Sequence, residues 1–260
     1  MPLITLTSDM GTQDHYVAVV KAAIYQHLPL ATVIDISHHV RPFDVGHAAF
    51  LMRGCFEDFP KGTVHIMGVN PDRTAICNHL AVLFNGQYFI GADNGFFSLI
   101  FGELPQKMVN LDHVASNVGE TQFPMRDIFC MAACHLAKGG TMEVLGKEVL
   151  KVNSSTQYLP IVEERALRGV AIHIDGFGNV ISNIDRKLFD LVRRDRVFEI
   201  RFRKNQQRTR KLCKTYSDVE FTEIAALFGS SGFLEIGING GNASQLLGIK
   251  PNDTISVEFL

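Results

Sequence analysis

Neither sign of charge is in excess in this chain: 25 Lys and Arg stand against 27 Asp and Glu in 260 residues, a net charge of −2. That balance sets up no general field to gather polyanions, so charge gives no sign of a nucleic-acid partner. Apolar runs approaching the ~20 residues needed to span a bilayer are also missing, and "MPLITLTSD" has neither a basic n-region nor a cleavable apolar core. No membrane partner and a cytoplasmic location are therefore expected. The five cysteines, Cys55, Cys77, Cys130, Cys134 and Cys213, are odd in number and without paired CxxC spacing. This argues against a disulfide framework and for thiols in a reducing compartment. The chain contains no GxGxxG or Walker sequence, hence no dinucleotide or P-loop fingerprint, and no internal repeat or low-complexity tract.

What is present is ordinary globular usage, 46% hydrophobic and 20% charged, over a length sufficient for one large or two ordinary domains. Up to about residue 155, strand-like runs ("LITLTSD", "TVIDIS", "TVHIMGV", "HLAVLFN", "QYFIGA") alternate with helix-like ones ("DHYVAVVKAAIYQH", "DVGHAAFLMRGCF", "DIFCMAACHLAKGG"). That alternation predicts an N-terminal α/β domain with a central sheet over residues 1–155. From 156 to 260 the texture changes to short β-rich segments ("GVAIHIDGFG", "VFEIRFR", "FLEIGING", "TISVEFL") between turns rich in Gly, Asn and Asp. Helical candidates there are brief, such as "TEIAALF" and "NASQLLG", so a small C-terminal β-barrel or sandwich domain is expected.

Three local features have a bland and a sharp reading. The basic run "RRDRVFEIRFRKNQQRTRK" alternates with apolar residues and reads as a solvated strand face and hairpin rather than a nucleic-acid patch. Cys130, Cys134 and His135 lie one helical turn apart, but "DIFCMAACHLA" reads as a core helix rather than a metal site. Asp9 ends the first strand before a glycine and a helix. A carboxylate beyond the carboxyl end of an α/β strand is placed to accept hydrogen bonds from a ribose, whereas Asp9 or Asp14 can equally cap the helix.

The stretch "GVNPDRTAICNHLAV" packs Asn70, Asp72, Arg73, Cys77 and His79 between two strands, as a reaction centre would, or as any solvated loop would. The segments "TSDMG", "DISHHVRPFDVGHAAFLM", "GQYFIGADNGFFS", "FPMRDIF", "DGFGNVISNI" and "SGFLEIGINGGNASQLLGI" favour the first reading. In order and spacing they resemble the S-adenosyl-L-methionine (SAM) hydroxide adenosyltransferases, the SAM hydrolases related to the SAM-dependent fluorinase and chlorinase. The resemblance covers nearly the whole chain. It implies an α/β domain joined to a small β-barrel, a homotrimer with SAM or adenosine bound at sites between subunits, and attack of water on ribose C5′ without cofactor or metal. It further implies that Asp9 binds the ribose hydroxyls and Asp175 the methionine ammonium, and that Phe177, Asn179 and the backbone near Asn239 and Gly240 enclose the adenine, with Phe123 retained beside them.

The same resemblance exposes a gap. Where the family reads Asp-Pro-Gly-Val-Gly-Thr-x-Arg, Asn70 stands in place of the Asp and Cys77 in place of the Arg. Where it reads Phe-His-Gly-Arg-Asp, Pro124 stands in place of the His. The set that orients and activates water is thus replaced at all three positions. Three readings follow: a SAM-cleaving enzyme using Asp72, Arg73, His79 or Arg126 as substitutes, a non-catalytic binder of SAM or adenosine, or an enzyme whose nucleophile is an anion such as halide and needs no base.

Overall fold

In the computed structural model, which describes residues 2–155, 159–202 and 207–260, the apolar runs of the N-terminal half become strands, those at the centre of the sheet buried on both faces and the edge strand of "TVIDIS" left largely exposed. The elements are β1 (Leu3–Ser8), α1 (Tyr16–His27), β2 (Thr32–Ser37), α2 (Val45–Arg53), β3 (Val64–Gly68), β4 (His79–Phe84), β5 (Gln87–Ala92), α3 (Phe96–Ile100), β6 (Lys107–Asn110), α4 (Asp112–Val118) and α5 (Cys130–Ala137). Their sheet has the order β2-β1-β3-β5-β4-β6. β2, β1, β3 and β5 run parallel, and β4 is antiparallel to both β5 and β6. Alternation along the strands explains the two cores. Ile66, Ala81 and Ile90 pack with Val20, Ile24, Phe129 and Cys130 on the side of α1 and α5. Their neighbours Met67, Val82 and Phe89 pack with Ala48, Met52 and Phe97 on the side of α2 and α3. A parallel sheet covered on both faces needs such continuous apolar strands.

Two local devices shape this unit. β4 and β5 are joined by Asn85 and Gly86, both with positive φ (49° and 74°), the Asn-Gly pair that a two-residue hairpin turn requires. A π-helical turn, Met125–Phe129, precedes α5 and packs against β3, β5, α1 and α4. Its Met125 sulfur occupies the space a Cβ would take at Gly68, so glycine at the end of β3 lets this turn reach the strand ends.

The chain divides by contacts into two compact units, Met1–Ser155 and Thr156–Leu260. The second contains β7 (Ile161–Glu163), β8 (Ala166–Ile174), β9 (Val180–Asp185), α6 (Arg186–Arg193), β10 (Phe198–Phe202), β11 (Gln207–Thr209), β12 (Ile224–Phe228), β13 (Phe233–Ile238), α7 (Ala243–Leu247) and β14 (Thr254–Phe259). These strands form one antiparallel sheet ordered β11-β10-β14-β8-β9-β13-β12, with β7 on β8. β8 pairs with β14 through Ala166–Val170 and with β9 beyond it, which curls the sheet toward a barrel. The remaining gap is bridged by Cys213, whose N–H donates to Ala226 O of β12 at 2.7 Å. Phe189 of α6 plugs the core, edge-on to Phe198, Phe228 and Phe259. The fold is thus mixed α/β with two sheets, the second nearly barrel-shaped.

One expectation fails: "TEIAALF" is not helical, and Ile224–Phe228 of that segment forms β12, paired along its length with β13. A five-residue apolar run has no period of its own, and pairing decided it. The basic run spans the end of α6 and the β10–β11 hairpin, whose residues 203–206 lie outside the described residues. Three of its arginines, Arg201, Arg210 and Arg208, meet the buried Glu199 at 2.6, 2.8 and 3.7 Å, and Arg201 also meets Glu258 at 2.9 Å. Part of the positive charge is therefore neutralised on the strand face itself. Among the described residues no helix is long and apolar enough to cross a membrane.

Candidate functional site

In the first unit the chemistry-bearing residues collect at the carboxyl ends of the parallel strands. Asp9 follows β1, and its Oδ2 accepts a hydrogen bond from the backbone N–H of Phe43 at 2.9 Å. Neither Asp9 nor Asp14 caps α1: the N-cap is His15, with no side-chain cap bond. Phe43 is held at φ 61°, uncommon for a non-glycine residue, with its ring 74% exposed. Asn70 follows β3 with φ 46°, which asparagine tolerates better than most residues. Its carbonyl, like that of Val69, accepts from Asn94 Nδ2, at 3.0 and 3.1 Å.

The loop after Asn70 turns back on itself through reciprocal backbone bonds between Thr74 and Cys77, at 3.0 and 3.3 Å. Cys77 is half-buried, and burial together with the nearby charge of Asp93 pushes its thiol pKa up, away from the reactive thiolate. Asp93, at the end of β5, is buried, and burial raises its carboxyl pKa. Both its oxygens accept from the Asn153 backbone N–H, at 2.9 and 3.1 Å, and Asn153 Nδ2 also donates to Ile76 O at 2.8 Å. Residue 153 thus straps the loop to β5.

Three of the four proposed substitutes are already engaged. The His79 ring Nε2 donates to Pro71 O at 2.8 Å, which leaves Nδ1 as the unprotonated nitrogen, and burial lowers its pKa. It sits edge-on to Phe129 with centroids 4.8 Å apart. Arg73 pairs with Asp112 at 2.6 Å. Arg126 pairs with Asp127 at 2.5 Å and lies 5.4 Å from the centre of the Phe123 ring, which itself meets Tyr16 edge-on. Asp72 alone is exposed without a hydrogen bond or ion pair among the described residues. Pro124 is buried at the N-cap of the π-helical turn.

In the second unit a cleft of about 560 Å³ is lined by Phe177, Asn179, Tyr216, Ile238, Gly240, Gly241 and Asn242. Asp175 shapes one wall: its Oδ1 accepts from the N–H groups of Phe177 (2.9 Å) and Asn179 (2.8 Å), and its Oδ2 from Asn179 Nδ2 (3.0 Å). The turn leaves the Phe177 ring 82% exposed. Gly178 has φ 87°, and a Cβ there would overlap the Asn242 side chain, so the two turns of the cleft close only around glycine. Asn242 also caps α7, accepting from Gln245 N–H at 2.8 Å. Asn239 is not among the lining residues; its Nδ2 donates to Val219 O at 2.9 Å and holds the turn.

Sequence reasoning missed Tyr216, whose hydroxyl donates to the buried Glu235. Burial raises the Glu235 carboxyl, with Asp175's charge adding to it, and the tyrosine is raised by burial and by Glu235. The two are 19 residues apart on different elements, so no local pattern announces the pair. Asn94 was the more accessible miss, since it lies inside the "GADNG" segment. Among the described residues no three His, Cys, Asp or Glu side chains gather as a metal-binding group.

Two family descriptions match this chain: SAM hydroxide adenosyltransferase N-terminal domain over residues 4–146 and SAM hydroxide adenosyltransferase C-terminal domain over residues 169–256. The (R)-S-adenosyl-L-methionine hydrolase of Thermus thermophilus is 31% identical over 253 residues, covering 94% of each chain. The protein of that name from Methanocaldococcus jannaschii is 29% identical over 274 residues, covering 100% of this chain and 97% of its own. The fluorinase of Nocardia brasiliensis is 26% identical over 215 residues, covering 71% and 72%. A crystal structure of a conserved protein from Thermotoga maritima superposes with a TM-score of 0.86 at 30% identity, over 98% of this chain and 99% of that one.

Proposed function

The chain belongs to the SAM hydroxide adenosyltransferase family, and from that premise we propose that it binds SAM and cleaves it with water at ribose C5′, yielding adenosine and methionine. The observation that carries this reading is that the likeness to the (R)-SAM hydrolases runs through both units, including the turns that build the cleft. In the reaction a C5′–O bond forms as the C5′–S bond breaks, the sulfonium takes the electron pair and leaves as a neutral thioether, and the attacking water gives up one proton to solvent. No acid is needed for that departure. Catalysis rests on aligning and activating the water.

In this reading Asp9 holds the ribose. Its Oδ2 is fixed by Phe43, while Oδ1 makes no hydrogen bond among the described residues and is left to accept from a hydroxyl. Phe177 offers an exposed ring to stack on adenine beside Asn179 and Gly240, and Asp175 supplies the negative charge for the methionine ammonium. The protein acts in the cytoplasm as a homotrimer with sites between subunits, its domains spanning residues 1–155 and 156–260. Light scattering should give a mass near three chains; a monomer binding SAM with full affinity overturns the trimer.

A second reading, a SAM or adenosine binder without catalysis, is favoured by Asn70, Cys77 and Pro124 and by the prior engagement of Arg73, His79 and Arg126. Incubating the purified protein with SAM and measuring adenosine by chromatography separates the two. Calorimetry should detect SAM or adenosine binding in the presence of a chelator. Asp9→Ala should weaken adenosine binding by about 1.5–3 kcal/mol, the usual worth of a hydrogen bond to a charged group. An unchanged affinity removes Asp9 from the pocket.

A further inference from the structure

Ser8, the residue before Asp9, opens a chain of polar side chains that the reaction above does not use. Its Oγ lies 2.7 Å from Nδ1 of His38, both residues being buried. The other ring nitrogen of His38, Nε2, faces Asp35 Oδ1 at 3.2 Å, and Asp35 Oδ2 meets Lys21 Nζ at 2.5 Å. The order is therefore Lys21, Asp35, His38, Ser8, reaching from α1 and β2 to the carboxyl end of β1. Nε2 makes no aligned hydrogen bond, but the nearby Asp35 carboxylate favours hydrogen on that nitrogen, which leaves Nδ1 to accept a hydrogen bond from the Ser8 hydroxyl.

The backbone around this chain is tied to the same end. β1 and β2 shift register after Leu6, so that Thr7 pairs with Ser37 instead of Ile36. Such an irregularity re-aims the residues that follow it. Gly11 N–H then donates to His38 O at 2.7 Å and Val40 N–H to Ser8 O at 3.3 Å. At the far end of the same loop, Phe43 N–H holds the Asp9 carboxylate.

We infer that His38 is a positioning residue, which through Ser8 and the 38–43 loop fixes the turn that aims the Asp9 carboxylate at the ribose. The inference rests on the ligand reading given above. An isolated buried Ser–His pair would only stabilise the sheet; here the pair is embedded in the two segments whose cross-links orient the one carboxylate at this strand end. Removing it leaves Asp9 chemically intact and wrongly aimed.

The test is calorimetric, with adenosine as the probe, and needs no turnover. His38→Ala should weaken adenosine binding about tenfold, the equivalent of one lost orienting interaction. His38→Asn, whose side-chain oxygen can replace Nδ1 as acceptor for Ser8, should recover most of that loss. In an Asp9→Ala background, His38→Ala should have almost no further effect, because a mis-aimed carboxylate cannot matter once it is absent. A purely structural role predicts the opposite, an equal loss with or without Asp9, and that result overturns the inference. So does an affinity within twofold of wild type in His38→Ala. If His38→Ala does not fold, Ser8→Ala removes the same hydrogen bond and is read by the same cycle. A wild type that fails to bind adenosine sinks the ligand reading and this inference together, whereas wild-type binding untouched by these variants sinks the inference alone.

Discussion

The triple variant Asn70→Asp, Cys77→Arg, Pro124→His should release adenosine from SAM at least ten times faster than the wild type. A positioned base contributes about 10²- to 10⁴-fold, so recovery of even part of its effect is measurable. The three changes belong together, because groups that act as one unit show little of their worth singly. The structure makes each replacement feasible. Asn70 sits at φ 46°, a conformation aspartate also visits, and its carbonyl stays bonded to Asn94. Cys77 lies near the buried Asp93, whose charge adds to burial in raising the thiol and would welcome a guanidinium. Pro124 has φ −54° and ψ −35° at the N-cap of the π-helical turn, ordinary helical values that histidine adopts without strain. Its missing N–H does not distort the turn, which is closed by Arg126 N–H and Asp127 N–H donating to Phe123 O at 3.1 and 3.0 Å. Calorimetric SAM affinity should change little. A wild type that already turns over SAM briskly refutes the argument from lost machinery and directs mutagenesis to Asp72, Arg73, His79 and Arg126; a triple variant as slow as wild type shows that the loop no longer presents these positions to the nucleophile.

Much of the architecture was legible because burial writes itself into sequence. β3 and β5 are almost wholly buried and apolar but for His65 and Gln87, because both faces are covered, and α5 is apolar because it packs against the sheet and α1. "TEIAALF" was misread because five apolar residues carry no period until β13 pairs with them. The cleft divides in the same way. Phe177 and Asn179 share one hairpin turn with Asp175, and Gly240 and Asn242 share another, so motifs a few residues long contain them. Glu235 and Tyr216 meet across 19 residues, and Asn153 reaches Asp93 across 60, so tertiary structure alone creates their roles. The polar loop 70–78 was legible as a list of residues but not as a network: the engagement of His79 with Pro71 and Arg73 with Asp112 is written in geometry.

The second large effect concerns stability, and it starts from His65. This residue of β3 is fully buried, stacked on Phe89 at 4.7 Å and edge-on to Phe59. Gln87 spends its Nε2 on the carbonyls of Phe56 and Phe59, so its Oε1 accepts from His65 Nε2 at 2.7 Å. The His65 Nδ1 is then the acceptor for the Thr5 hydroxyl, also at 2.7 Å. The network links β1, β3 and β5, the strands whose carboxyl ends carry Asp9, Asn70 and Asp93. It is satisfied by a neutral ring, and burial pushes the His65 pKa down from 6.5 to about 4. The unfolded chain therefore binds a proton that the folded one refuses. Stability from this group is complete above pH 6.5 and falls as pH drops toward 4, by about 1.4 kcal/mol per unit and about 3 kcal/mol in all. Urea unfolding at pH 7 and pH 4 should show this as a difference between proteins: in His65→Gln the loss of stability between the two pH values should be smaller than in wild type by about 3 kcal/mol. Carboxyls such as Asp93 and Glu235 titrate in both proteins and cancel from the comparison. Identical acid sensitivity in the two would mean that His65 accepts its proton in the folded state, and that the central strands tolerate a charge between them.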